Sequence, residues 1–142
     1  MKIEVRVDKS LDAERFLPQK AHEADAGFDI FCPVDCVVPA KGSCVIDTLV
    51  GMAIPMGYVG MLKSKSGLNC KHGLRGEGVI DSGYTGNIVA KLYNDSDNDY
   101  HFHKGDKLIQ IVIIKIPTVK LEIVDEFEET DRGNNGFGST GR

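Results

Sequence analysis

Short β-rich runs recur along the chain, and glycine, proline, asparagine and aspartate separate them. No long segment places its apolar residues at the roughly 3.6-residue period of an amphipathic helix. Ile3–Val7 instead alternates apolar and polar side chains, as a half-buried strand should. Leu108–Ile116 is the most apolar run, and we expect it to form a central strand. Many short strands at this spacing predict an all-β sandwich or closed β-roll in a single domain.

Several further segments have the composition of strands, and one has that of a short helix. The other predicted strands cover residues 28–31, 34–38, 44–46, 50–54, 58–62, 88–93 and 119–124. The helix is expected around Ser66–His72. An acidic stretch, Asp125–Asp131, has the character of a solvated linker. We therefore expect a β-barrel domain over residues 1–125, followed by a linker and flexible C-terminal arm over residues 126–142.

The charge and the termini restrict the partners and the location. A formal net charge of −4 argues against duplex nucleic acid or an anionic membrane as the main partner. No apolar run approaches the length of a membrane span, and the first residues, MKIEVRVDKS, contain no signal-peptide core. We therefore expect a soluble, cytoplasmic protein with no nucleic-acid or membrane partner. Local basic residues can still bind a small anionic ligand.

The cysteines and histidines show no metal-binding spacing. None of the four cysteines forms a C-x-x-C pair, and no histidine lies at zinc-finger spacing from them. We expect reduced, partly buried thiols. His101 and His103 would lie on one side of a strand, where they could hold a metal. An exposed strand end or turn is the favoured interpretation of this pair.

The last eleven residues, RGNNGFGSTGR, are rich in glycine and cannot build a core. Glycines let a backbone approach a ligand closely. Arg132 offers a guanidinium fork for phosphate oxygens, and Phe137 offers a face on which a base can stack. Ser139 and Thr140 add hydroxyl donors. We interpret the stretch as a mobile arm that orders over a nucleotide; the alternative is a plain flexible terminus.

Two internal segments carry polar residues that a strand does not need. In ADAGFDI, residues 24–30, Asp29 enters an otherwise apolar strand, although an aspartate that caps a turn would give the same pattern. In KSKSGL, residues 63–68, two lysines and two serines lead into the predicted helix. A helix N-terminus with hydroxyl and ammonium groups is suited to an anion, but lysines on a surface loop are common.

Two later segments have the same mixed character. Gly76–Gly86 has the glycine spacing of a tight β-hairpin. Within it, Asp81 could be a general base or a metal-facing group, and Tyr84 could support a sugar or a base. A plain hairpin with Asp81 at its turn explains the glycines equally well. In GDKLIQI, Gln110 lies inside an apolar strand, so its amide is either a hydrogen-bonding core group or a ligand contact.

Taken in order, these segments match the five motifs of a known family. They read ADAGFDI, KSKSGL, GVIDSGYTG, GDKLIQI and RGNNGFGSTG, and extend from about Ala24 to Gly141. The chain resembles the trimeric deoxyuridine triphosphate nucleotidohydrolases, the dUTPases. The resemblance implies a jelly-roll-like β-barrel, the β-clip, in a homotrimer with a swapped C-terminal arm. It also implies active sites at the subunit interfaces, built from the hairpin of one subunit, the phosphate-binding segments of a second and the arm of a third.

The resemblance implies an activity as well. The family hydrolyses dUTP between the α- and β-phosphates, with Mg²⁺ on the triphosphate, and gives dUMP and pyrophosphate. The expected partners are therefore dUTP and further copies of the chain, and the expected cofactor is Mg²⁺. Such an enzyme supplies dUMP and keeps uracil out of DNA.

The resemblance gives each motif residue a role by position. Asp81 would orient and deprotonate the attacking water, and Tyr84 would pack on the deoxyribose and exclude a 2′-hydroxyl. Asp29 would support the site and the hydrated metal from behind. The hairpin backbone would read the uracil edge, the second and fourth motifs would lie near the phosphates, and the arm would bind the γ-phosphate and cover the base. The implied substrate contacts besides Tyr84 are Lys65, Ser66, Gly67, Gly76, Gly78, Ile80, Gln110, Arg132, Phe137, Gly138, Ser139 and Thr140.

Five positions depart from the family motifs. Ser64 stands where the family usually has proline. Lys65 and Lys107 stand where the family usually has arginine. Lysine keeps the charge but loses the bidentate fork, so the grip on phosphate is expected to differ. Gly83 stands where an acidic residue is usual, and Asn87 where glutamate is frequent. The proposed base, sugar platform and arm residues are all present, so activity is expected.

Two rival functions use the same scaffold. One is a related enzyme that acts on dCTP by deamination or hydrolysis; no cluster beside the hairpin would activate water at the base. The other is a non-catalytic regulatory protein that holds a nucleotide or another protein, and the changes at Lys65 and Gly83 leave that reading open.

Overall fold

The computed structural model describes residues 1–141, which form eleven β-strands and two short α-helices. The strands are β1 (Glu4–Val7), β2 (Gly27–Phe31), β3 (Cys36–Val38), β4 (Ser43–Asp47), β5 (Val50–Ala53), β6 (Tyr58–Lys63), β7 (Leu74–Arg75), β8 (Glu77–Ile80), β9 (Val89–Asn94), β10 (Tyr100–Phe102) and β11 (Lys107–Lys115). The helices are α1 (Ala13–Phe16) and α2 (Ser66–His72). Arg142, the last residue of the predicted arm, lies outside the described residues.

The largest sheet has four strands in the order β2-β11-β6-β8, and all of its pairings are antiparallel. A three-stranded sheet, β4-β9-β7, and two strand pairs, β1-β5 and β10-β3, complete the structure. The all-β prediction is confirmed. The apolar run predicted as a central strand is β11, which has β2 on one side and β6 on the other.

One apolar core joins these sheets. Ile30 of β2, Leu62 of β6, Leu92 of β9 and Ile109 and Ile111 of β11 belong to the same buried cluster. β9 alternates exposed and buried residues along its whole length, as a strand with one wet face does. Truncating such a core side chain to alanine typically costs about 2–5 kcal/mol, so this core fixes the strands that carry the site.

Helix α2 has the bounds expected from the sequence. Its last turn ends at Gly73, which has a left-handed φ of 67° and donates its N–H to the carbonyls of Leu68 and Asn69. Glycine suits this position because it has no Cβ to oppose a positive φ. The helix start has no side-chain cap, since Lys65 at the N-cap makes no such hydrogen bond.

The sequence prediction was wrong for two segments. Residues 119–124 do not form a strand; they have no regular secondary structure and are exposed, with Leu121 at 96% and Ile123 at 99%. No strand within residues 1–141 pairs with them, so their apolar alternation is not matched by a neighbouring strand. Gly76–Gly86 is not a two-stranded hairpin either, because β8 pairs with β6 whereas β9 pairs with β4 and β7.

The packed body ends soon after β11. Ile116 donates its N–H to the Gly57 carbonyl at 2.8 Å, and every described residue from 117 onward is exposed. The domain division at residue 125 stays a prediction. No helix in residues 1–141 has the length and the apolar character needed to cross a membrane.

Candidate active site

A buried carboxylate, Asp29, lies in β2 and is shared by two lysines. Only 5% of the surface of Asp29 is exposed to solvent. Lys65, just after β6, bonds to its Oδ1, and the Nζ of Lys107, at the start of β11, lies 2.8 Å from its Oδ2. We call these three residues the lysine clamp. A buried carboxylate needs such partners because an unpaired charge is costly to remove from water.

The lysine clamp keeps Asp29 ionised. Burial acts to raise the pKa of this carboxyl, but the hydrogen bonds and charges of Lys107 and Lys65 outweigh burial and hold the pKa below its ordinary value. Asp29 lies within a strand, opposite Gln110 of β11, and does not cap a turn.

Gln110 and Ser64 join the strand ends beside the clamp. The Gln110 amide donates to the Ser64 carbonyl at 3.0 Å, and a Cβ added to Gly27 would overlap that amide. The Ser64 hydroxyl accepts the Gly76 N–H at 2.9 Å and lies 3.1 Å from the Gly76 carbonyl, to which it can donate. Both backbone groups of Gly76 are therefore engaged within the fold.

Asp81 and Tyr84 lie on the turn between β8 and β9, residues 81–87, which we call the 81–87 turn. The Tyr84 N–H donates to the Asp81 carbonyl at 3.2 Å, and the Tyr84 hydroxyl donates to the Asn87 carbonyl at 2.8 Å. Both side chains are exposed. Gly83 has a φ of 86°, so glycine fits this turn better than the acidic residue usual in the family motif.

Ser66 and Gly67 begin helix α2 and are both exposed. A Cβ added to Gly67 would meet nothing within 4 Å, so the space in front of this helix start is open. The first N–H groups of a helix have no partner within it. Open space, unpaired donors and the neighbouring ammonium of Lys65 together make a surface that a phosphate group can approach.

These two groups of residues lie at opposite ends of the β6–β8 strand pair. Ile80 faces Gly60 in the register, and the 81–87 turn continues from there. Lys65 and α2 instead follow the other end of β6, beyond Lys63. Four residues of extended chain between Gly60 and Ser64 span roughly 13 Å at about 3.3 Å each. Within one chain, the structure therefore brings Asp29, Lys65 and Gln110 together but separates them from Asp81.

The hydrogen bonds of the described arm residues stay within the segment 130–141. The Arg132 guanidinium donates to the Asn135 carbonyl at 3.0 Å, and Ser139 donates its N–H to the Gly136 carbonyl at 3.2 Å. The ring of Phe137 is fully exposed, at 113%. Among residues 1–141, no hydrogen bond joins the segment after Ile116 to the strands.

The metal and thiol predictions can be placed in the structure. His101 lies on β10 and His103 just beyond it, and both are exposed. Within the described part of the chain, no three His, Cys, Asp or Glu side chains are grouped as a metal site. The cysteines are free thiols, and burial raises the pKa of Cys36 to about 12, which keeps it protonated.

Sequence reasoning missed two residues that support the 81–87 turn. Arg6 of β1 donates to the Thr85 carbonyl and to Asn87, and the Asn87 amide donates to Asp47 at 3.2 Å. An arginine in a half-buried strand suggests only a solvated face. Nothing in the sequence signals its contact with a segment some eighty residues away.

A comparison with family models gives one match, described as dUTPase, over residues 14–141. The chain belongs to the dUTPase family. All five motif segments fall inside the match, and the lysine clamp and the 81–87 turn are therefore features of a dUTPase fold.

Curated and solved dUTPases match nearly the whole chain. The dUTPase of Eremothecium gossypii is 37% identical over 143 residues, which cover 99% of this chain and 90% of that protein. A mutant dUTPase of Staphylococcus bacteriophage 80alpha, solved with dUpNHpp, superposes with a TM-score of 0.89 at 33% identity and covers 99% of both chains.

A third dUTPase carries information on metal. It is a mutant from phage phi11 of S. aureus, described as revealing how a structural Mg(II) ion is coordinated. It superposes with a TM-score of 0.80 at 32% identity, over 91% of this chain and 100% of that chain.

Two departures from the dUTPase motifs fall together in the lysine clamp. Lys65 and Lys107 replace the usual arginines, and both contact the same carboxylate. The two changes are thus linked through Asp29, which each lysine can neutralise with a single ammonium group.

Proposed function

We propose that this chain is a dUTP diphosphatase, which hydrolyses dUTP to dUMP and pyrophosphate. The observation that carries the proposal is the full-length match to a dUTPase solved with dUpNHpp, in a chain that exposes Asp81 and Tyr84 on a braced turn.

Free thiols fit a reducing compartment, and we assign the protein to the cytoplasm.

Asp81 acts as the general base in this proposal. Among the described residues it makes no salt bridge, and its carboxylate is exposed, so it is available to a water molecule. Asp81 takes a proton from that water as the oxygen attacks the α-phosphorus. The bond from this phosphorus to the bridging oxygen breaks, and pyrophosphate leaves. A well-placed general base contributes about 10²–10⁴-fold to such a step.

The edge of β8 reads the base. β8 is the outer strand of its sheet and pairs with β6 on one side only, so its outward backbone groups can bind a uracil edge. Gly78 and Ile80 supply these groups in our proposal. Gly76 supports them through Ser64, because its own N–H and carbonyl are already engaged. Tyr84 packs on the deoxyribose and excludes a 2′-hydroxyl.

The start of α2 receives the phosphates. Ser66 and Gly67 approach the α- and β-phosphates, and Lys65 adds a positive charge beside them. Gln110 holds the Ser64 carbonyl in place and lies near the phosphates and the water. When Lys65 turns toward a phosphate, Lys107 remains to neutralise Asp29, so no buried charge is left unpaired.

The residues present fit Mg²⁺ that is held mainly by the triphosphate. Mg²⁺ keeps several of its waters and needs few protein oxygens, so the absence of a carboxylate cage in the described chain is compatible with it. Bound there, the ion would offset phosphate charge. Asp29 would reach it only through water. Because both of its oxygens already contact lysines, Asp29 acts mainly by holding those lysines.

A homotrimer completes the site. The turn that bears Asp81 and the helix that binds phosphate leave opposite ends of one strand pair, so a second copy must supply the other half. The exposed Leu121 and Ile123 support this assembly, because an alternating apolar segment is stable against a neighbouring chain but not in water.

The C-terminal arm covers the nucleotide. Arg132, Ser139 and Thr140 bind the γ-phosphate, Gly138 lets the backbone approach it, and Phe137 stacks over the uracil. A closed arm excludes bulk water during the reaction. The full exposure of Phe137 in the single chain supports an arm that is ordered by the ligand and a neighbouring copy.

Pyrophosphate release from dUTP, dCTP, dTTP and UTP, measured side by side with and without Mg²⁺, tests the proposal. Rapid Mg²⁺-dependent release from dUTP alone is expected. Equal release from dCTP would indicate a shifted base pocket, and ammonia from dCTP would indicate a deaminase. No release from any nucleotide, together with tight binding of dUpNHpp, would indicate a regulatory binding protein.

A further inference from the structure

The 81–87 turn is held from outside by a residue of the N-terminal strand. Arg6 lies on β1, far from every motif segment in sequence. Its Nη2 donates to the Thr85 carbonyl at 3.1 Å and to the Asn87 Oδ1 at 3.0 Å. One guanidinium nitrogen thus bridges the backbone and a side chain of the turn that carries Asp81.

Asn87 links Arg6 to two further residues, Asp47 and Tyr84. Its Nδ2 donates to the Asp47 Oδ2 at 3.2 Å, while the other oxygen of Asp47 accepts the Leu49 N–H at 2.9 Å. Its carbonyl accepts the hydroxyl of Tyr84 at 2.8 Å. Arg6 and Asp47 therefore hold Asn87 from both sides, and Asn87 in turn holds the ring of Tyr84.

The backbone is built to allow this close approach. A Cβ added to Gly51 of β5 would lie 3.0 Å from the Arg6 Nη2, the Thr85 oxygen and the Gly86 oxygen. A side chain at this position would push against all three atoms, and two of them are backbone oxygens of the turn, which would have to shift by a few tenths of an ångström. Just beyond the turn, Ile88 donates its N–H to the Val50 carbonyl at 2.7 Å, which fixes the turn to the same strand.

We propose that Arg6 is a positioning residue that sets the place of Tyr84, and through it the discrimination between a deoxyribose and a ribose. The inference rests on the proposed dUTP diphosphatase function. Arg6 does not touch the nucleotide; it acts through Asn87. Tyr84 can reject a 2′-hydroxyl only if its ring cannot retreat, and the Arg6 and Asp47 contacts are what prevent that retreat.

The test compares Arg6→Gln with Lys9→Gln in the full-length protein. Lys9 is an exposed residue two positions beyond β1, so its change removes the same charge without touching the turn. We expect Arg6→Gln to lower the ratio of kcat/KM for dUTP to that for UTP by about tenfold, since a misplacement of about 1 Å can cost about 100-fold and the remaining contacts of the turn should limit the displacement of Tyr84 to less than that. Arg6→Lys should recover part of the ratio. Lys9→Gln should leave it unchanged.

Amide hydrogen exchange gives a second measurement that needs no activity. Arg6→Gln should speed exchange at residues 84–88 and leave the β6 amides unchanged, because β6 is held by its own ladder. Asn87→Ala should also speed exchange at residues 84–88, and the effects of the two changes should be less than additive in the double variant, because both remove the Arg6–Asn87 contact.

The outcomes separate this inference from the proposed function. A nucleotide ratio and an exchange pattern that both match the wild type would overturn the role of Arg6, while dUTP hydrolysis by the wild type would still support the function. If the wild type releases no pyrophosphate, the proposed function fails. Exchange at residues 84–88 then decides whether Arg6 positions the turn: faster exchange supports it, and unchanged exchange refutes it.

Discussion

Asp29 keeps its charge inside the largest sheet because two lysines reach it from different strands. Lys65 follows β6 and Lys107 begins β11. The carboxylate of Asp29, on β2, therefore forms ion pairs with residues from two other parts of the same sheet. A carboxylate that accepts charge-assisted hydrogen bonds stabilises the fold only while it is ionised. Its contribution to stability should therefore depend on pH.

The lowered pKa of Asp29 predicts a loss of stability in acid. The contribution is fully present above the unfolded-state pKa of about 3.9 and is lost as the pH falls through the lower folded-state pKa. Asp29→Asn should cost about 2 kcal/mol of unfolding free energy at neutral pH, because the amide has one acceptor oxygen for two ammonium groups and carries no charge to pair with them. Urea unfolding of both proteins from about pH 7 to about pH 3 should show a shallower acid dependence in the variant. Parallel curves would contradict the prediction.

Asp81→Asn separates chemistry from binding. We expect kcat to fall at least about 100-fold, because an amide cannot accept the proton of the attacking water. The Kd for dUpNHpp should stay within about threefold of wild type, since the exposed carboxylate supports no neighbouring group. Single-turnover kinetics and calorimetry measure the two quantities. Ser82→Ala, on the same turn, is the matched control. Loss of binding in step with kcat would mean that Asp81 holds the nucleotide and does not act as a base.

At the scale of elements, the arm can be removed without disturbing the body. Its described residues make no hydrogen bond to the strands, so deletion of residues 132–142 should leave the unfolding free energy and the oligomeric size unchanged. We expect kcat/KM for dUTP to fall at least about 100-fold, because water is no longer excluded and the γ-phosphate loses its donors. Light scattering, urea unfolding and pyrophosphate release test this. Full activity in the truncated protein would contradict the proposal that the C-terminal arm covers the nucleotide.

Strands that pack on the chain's own core could be predicted from their sequence. β9 and β11 were found within a residue or so of the runs 88–93 and 108–116, because alternation or continuous apolarity matches a buried face. Residues 119–124 have the same alternation, yet they form no strand in a single chain. Pairing depends on an available edge, and sequence pattern alone does not reveal whether that edge exists.

The sequence predicts the local features of the site but not its long-range contacts. The positions of the motif residues followed from the sequence, because glycine-rich turns and charged helix starts are local features. The contact of Arg6 with Asn87 is not local, and neither is the sharing of Asp29 by Lys107. Helix α1, with four residues, and β10, with three, are too short to leave a periodic signal.

At the scale of the whole molecule, the proposed trimer predicts that two defective chains can repair each other. Asp81→Asn supplies an intact arm, and the protein truncated after residue 131 supplies an intact turn. Unfolding and refolding equal amounts of the two together should restore about a quarter of the wild-type activity. Each shared site has about a one-in-two chance of an intact turn and about a one-in-two chance of an intact arm, so about a quarter of the sites have both. Each variant refolded alone is the control. No recovery in the mixture would mean that turn and arm come from the same chain.

The separation of the 81–87 turn from α2 along β6 also has a consequence for the cell. If the site is shared between subunits as proposed, a chain newly released from the ribosome would carry both halves of a site but could not use them until it met other copies. The dUTP-hydrolysing activity would then rise more steeply than the concentration of the chain, wherever that concentration is low enough for the subunits to dissociate. Halving the gene dosage under those conditions would remove more than half of the capacity to clear dUTP.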